Sequence, residues 1–153
     1  MKRSPVVATV LLLAMMLAAA PVAAATTSYS AFRVHEMLAI GGAHRAIQNI
    51  QDTLFFDEPD LAAVYVTKIA SAQLKSSLSE QRWLSSHKPR ACYREVYLAA
   101  RAAWSGYRIA LKLAYRWSLG DHSVSEGSMT NALKHADLGF TLFSVMFPPY
   151  SCH

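Results

Sequence analysis

The sequence predicts an all-α fold: an antiparallel up-down-up-down four-helix bundle that follows an N-terminal signal peptide. Three observations predict it. Four stretches carry apolar or small residues at alternating three- and four-residue spacing, which draws one stripe along a helix. The connectors between them are short and hold proline, glycine, serine and aspartate, so consecutive helices run in opposite directions. Removing a leader of 25 residues from the chain of 153 leaves 128, enough for one domain and too few for two. A hydrophobic content of 53% excludes a disordered or collagen-like chain.

Residues 1–25 have the form of a signal peptide. Lys2 and Arg3 supply the positive region, Val6 to Ala20 the apolar run, and Ala23-Ala24-Ala25 the small residues that a signal peptidase accepts. An uncleaved anchor is the competing reading, but Pro21 interrupts the run and alanine dominates its end. Cleavage near Ala25 yields a periplasmic or secreted protein, 26–153, with no transmembrane domain in the mature chain. It also removes two of the fifteen basic residues; thirteen against ten acidic leave +3 where the full chain has +5.

The first helix is expected from about Ser30 to Leu54, with Ile40, Ala43, Ile47, Ile50 and Leu54 on its inner stripe. Gly41-Gly42 in its middle suggests close packing against a neighbour, because each glycine costs a helix interior about 1 kcal/mol relative to alanine. Asp57-Glu58-Pro59-Asp60 then reads as a helix start, with a cap, a first-turn proline and acids at the positive end of the dipole. The second helix should run from about Glu58 to Ser85, facing inward with Ala62, Tyr65, Ile69, Ala72, Ser76 and Trp83.

A connector around Pro89 leads to the third helix, about Ala91 to Leu119. Its Tyr93, Tyr97, Ala100, Trp104, Tyr107, Leu111 and Ala114 form an aromatic seam. Gly120-Asp121 stops it, and Ser123-Val124-Ser125-Glu126 has the form of a capping box that opens the fourth helix, about Ser123 to Phe147. Met129, Leu133, Ala136, Phe140, Phe143 and Phe147 stripe that helix before Pro148-Pro149 ends it.

In this topology the start of the third helix and the end of the fourth share a pole. Cys92 and Cys152, the two cysteines, then meet, and an exported chain offers the oxidising compartment a disulfide needs. Such a bridge typically stabilises by roughly 2–4 kcal/mol.

No nucleotide loop, metalloprotease helix, haem-attachment pentapeptide or nucleophile elbow occurs, and no nucleophile, base and oxyanion donors assemble along the chain. A non-enzyme is expected. The most suggestive pattern is a basic strip: Arg94, Arg101, Arg108, Lys112 and Arg116 fall within about 80° of arc on the third helix. From Arg82 to Arg116 eight basic residues face a single acid, Glu95. Guanidiniums fork onto carboxylate or phosphate, so the strip, with Ile109 and Leu113 beside it, would engage an unknown protein or an anionic surface. Nucleic acid is not expected as a partner, because the mature charge is modest and the chain is exported. Leu98, Ile109 and Leu113, with Leu138, Leu142 and Val145, form secondary apolar stripes that would support a homodimer if they face outward.

No cofactor is required by this reading. The alternative is a small haem- or metal-binding electron carrier or sensor. His87, Cys92, Cys152 and His153, joined by His35, would gather at the shared pole and offer thiolate and imidazole to a transition metal. Cys152-His153 is also the tail of a haem-attachment motif, but the motif's first cysteine would fall at Pro149. Met37 or Met129 could supply an axial ligand to a non-covalent haem.

Overall fold

Ser28 opens the first helix: its hydroxyl accepts the amide N–H of Ala31 at 3.3 Å, satisfying one of the unpaired donors of the first turn. The computed structural model describes residues 28–145, and within them the chain is all α. Helix α1 spans Tyr29–Thr53, α2 Pro59–Ser86, α3 Arg94–Ser118 and α4 Glu126–Val145, with one turn of 3₁₀ helix at Ala91–Tyr93. Consecutive helices pack on each other and α1 also touches α4, an arrangement consistent with an up-down bundle. The leader (1–25), Phe147, Cys152 and His153 lie outside the described residues.

The ends of the helices follow local chemistry. Pro59 occupies the first turn of α2 with Asp60 beside it, although Glu58 at the cap makes no side-chain bond to the helix. At the end of α3 Gly120 adopts φ +78°, the left-handed conformation that glycine tolerates. Gly120 N–H donates to the Trp117 carbonyl and Asp121 N–H to the Arg116 carbonyl, the pair of bonds of a Schellman stop. The cap of α4 sits two residues later than the spacing predicts. Ser125 accepts the amide of Ser128, while Ser123 is drawn away by Asp121, to which it donates through both its amide and its hydroxyl.

The core is built chiefly on α3. Every residue of the predicted seam, from Tyr93 to Ala114, is buried. Against it α4 places Met129, Leu133, Ala136, Phe140 and Phe143. Trp104, Tyr107 and Phe140 meet edge to face with ring centroids 4.9 to 5.7 Å apart, the geometry that the aromatic quadrupole favours. On α1 the expected Ile40, Ala43, Ile47 and Ile50 are buried, and the stripe continues upstream through Glu36 and Phe32.

Helix α2 departs from expectation. Its buried residues are Ala62, Val66, Ala70, Ser77 and Leu84, whereas Tyr65, Ala72 and Ser76 are exposed and Ile69 and Trp83 half-buried. Small side chains fill the line of contact here, and Tyr65 stays at the rim with its ring against Phe56. The buried line therefore lies about one residue, roughly 100°, from the one that Tyr65, Ile69 and Trp83 mark. The glycine pair of α1 is a second departure. A methyl group on Gly42 would meet nothing within 4 Å and one on Gly41 only the Arg45 side chain, so neither marks a close helix contact. Among the described residues no helix is long and apolar enough to cross a membrane.

Candidate functional site

The basic strip of α3 divides into two parts with different surroundings. Toward the C-terminal end Arg108 and Arg116 are engaged. Arg116 donates from Nε to Asp121 at 2.7 Å and from Nη2 to Ser123 at 2.9 Å, closing the turn into α4. Asp121 is in consequence held down to about 2, first by the Ser123 hydroxyl, then by the Ser123 amide and Arg116. Arg108 is half-buried between α3 and α2, where its Nη1 donates to Gln81 at 3.0 Å and its buried Nε finds no acceptor among the described residues. Lys112 is exposed beyond it.

The N-terminal end differs. Arg94 and Arg101 are exposed, with the Arg101 guanidinium 5.9 Å from the centroid of the Tyr97 ring. Together with Lys88 and Arg90 of the connector they line a groove of about 300 Å³, with Tyr97 and Leu98 among its walls. The spacing on α3 alone found Arg94 and Arg101. It could not supply Lys88 and Arg90, which border the same groove from the connector. Ile109 is 58% exposed, and Leu113 is half-buried against the core. Leu98, Leu138, Leu142 and Val145 are also exposed, so most of the secondary stripe residues face outward.

A second cluster lies between α1, α2 and α3. Glu36 stands on the apolar stripe of α1 in register with Phe32 and Ile40 and is completely buried. Trp104 Nε1 donates to its Oε2 at 2.9 Å, while its Oε1 is buried with no hydrogen-bond partner among the described residues. Burial lifts the Glu36 carboxyl to about 7, the bond from Trp104 lowers it, and nearby Glu80 raises it further. His35, the neighbouring residue, places Nε2 2.7 Å from Glu80 Oε2 and stacks on Trp83 with centroids 3.6 Å apart. His87 also stacks on Trp83, at 4.5 Å, and its Nδ1 lies 2.9 Å from the Trp83 carbonyl oxygen and 2.9 Å from the Ser86 hydroxyl. One ligand atom from each of His35, Glu36 and Glu80 lies within 4.8 Å of the other two.

This cluster is not the set expected from the cysteines. His87 and Cys92 fall within the described residues and Cys152 and His153 outside them, and the grouped donors are instead one histidine and two glutamates. Of the methionines considered for haem, Met129 is core and Met37 is half-exposed. The signal for Glu36 was present in the sequence: a carboxylate at the i−4 position from Ile40, where a stripe residue belongs. His44, beside the glycine pair, is hydrogen-bonded to Asp137 and ties α1 to α4. The chain matches no protein-family profile, no curated protein and no solved structure.

Proposed function

We propose that the chain is an exported binding or accessory module that engages an anionic partner through the groove at the start of α3. One observation carries the reading: Lys88, Arg90, Arg94 and Arg101 surround a single concave surface that also offers Tyr97 and the exposed Leu98. Like charges held together raise the local potential and attract a carboxylate, sulfate or phosphate, and the apolar wall adds contact that charge pairing lacks. The outward-facing Ile109, beside the strip, and Leu138, Leu142 and Val145 of α4 support self-association.

The engaged and free ends of the strip supply the test. On a sulfated-polysaccharide matrix, the mature protein carrying Arg94→Gln and Arg101→Gln should elute at clearly lower salt than the wild type. The single change Arg116→Gln, at a guanidinium already committed to Asp121, should shift elution far less. Equal elution of the groove variant and the wild type removes the groove from consideration.

The proposal includes a Cys92–Cys152 disulfide, supported by the even cysteine count, the expected leader and a helix arrangement consistent with an up-down bundle. Alkylation of folded monomer without reductant should then label neither cysteine; labelling of both overturns it.

A further inference from the structure

We propose that His35, Glu36 and Glu80 form a binding site for one divalent first-row transition-metal ion, set between α1 and α2 and backed by Trp104. The site goes beyond the anion groove and shares no residue with it.

The donor set is one imidazole and two carboxylates, nitrogen and oxygen ligands suited to zinc, manganese or ferrous iron. Their ligand atoms lie within 4.8 Å of one another, and those of His35 and Glu80 are 2.7 Å apart. Ligands bound at about 2.0–2.2 Å in tetrahedral array stand roughly 3.4 Å apart, so modest side-chain rotation converts this cluster into a coordination shell. Rotation would replace the His35–Glu80 hydrogen bond with two metal bonds and leave a fourth position open.

The second observation is Glu36 itself. A fully buried carboxylate oxygen with no donor is costly, because it has lost water and gained nothing in return. A cation beside Oε1 supplies the missing partner. Meanwhile Trp104 holds the other oxygen from behind, as outer-shell hydrogen bonds commonly fix a metal-binding carboxylate. The Trp83 ring fixes the plane of the His35 imidazole. An entry path exists at the rim, since the His35 side chain is 33% exposed and that of Glu80 15%, while Glu36 forms the floor.

The test uses tag-free mature protein, stripped with chelator and titrated with Zn²⁺ alone, or with Co²⁺ to read its visible bands. One equivalent should bind and raise the melting temperature. Glu36→Gln, which keeps the shape and the acceptor for Trp104, should weaken binding at least tenfold, as should His35→Gln at the more exposed rim. His87→Ala should leave affinity unchanged. Far-ultraviolet circular dichroism confirms that each variant is folded. The site is overturned if the wild type binds no metal at 100-fold excess over about 1 μM protein. It is equally overturned if both folded ligand variants bind as the wild type does, or if His87→Ala is the change that abolishes binding.

Discussion

Helix α3 has two unlike buried regions, one packed on α4 and one reaching across the bundle to α1, and the difference separates apolar packing from the burial of a charge. Toward α4 the contact is apolar: Trp104, Tyr107, Phe140, Phe143 and Leu133 are all buried, with rings meeting edge to face. Toward α1 the same Trp104 turns its N–H onto a buried carboxylate, behind which lie His35, Glu80 and Trp83. One indole thus belongs to both regions. The apolar wall gains from every methylene it hides, while the polar one bears the desolvation of Glu36 and returns a reactive group in an otherwise dry interior. Buried polar residues of this kind are where an energetically inconsistent choice points to use.

Breaking the apolar wall should have the largest effect. Phe140 is fully buried and touches both Trp104 and Tyr107. Phe140→Ala removes its transfer energy and leaves a cavity that the two rings cannot fill, a loss of about 3–5 kcal/mol. Urea unfolding followed by circular dichroism should show the midpoint fall with little change in slope. A loss below about 1 kcal/mol would mean that the α3–α4 contact is not the principal core.

The same contrast governs what could be read from the sequence. The α3 seam and the α4 stripe were legible because large apolar residues recur along them, with alanine only at Ala100, Ala114 and Ala136 of the expected positions, so periodicity alone fixes the face. The face of α2 differs from the expected one because alanine and serine do much of the burying there beside Val66 and Leu84; small residues carry little hydrophobic signal, and only the neighbouring helices reveal that Ala70 lies inside and Tyr65 outside. Glu36 was passed over because the stripe was started at Ile40. The basic strip was visible as a pattern, but its division was not. Whether Arg94 is free or Arg116 engaged depends on Asp121, Ser123 and the returning connector, which are tertiary facts.

The polar wall can be probed through its proton, in metal-free protein kept in chelator. Glu36 titrates near 4.5 when unfolded and at about 7 when folded, chiefly because burial disfavours its charge. The folded state therefore holds its proton more tightly. Its contribution to stability is fully present below pH 4.5 and is lost as pH rises through 7, by roughly 1.4 kcal/mol per unit across the window and about 3 kcal/mol in all. Glu36→Gln abolishes that slope while retaining an acceptor for Trp104, and it places its amide N–H₂ near Glu80, which can accept. The variant should be more stable than the wild type at pH 8 and close to it at pH 4.5, with the two curves converging between. Groups remote from the site cancel in this difference, including Asp121, whose contribution is lost only as pH falls toward 2; Glu80, whose charge acts on Glu36, and its partner His35 do not. The measurement is thus confined to this one cluster, with Glu36 its largest contributor. Parallel curves from pH 4.5 to 8 would show that Glu36 stays solvated in solution, and the distinction between the two walls of α3 would then be one of packing alone.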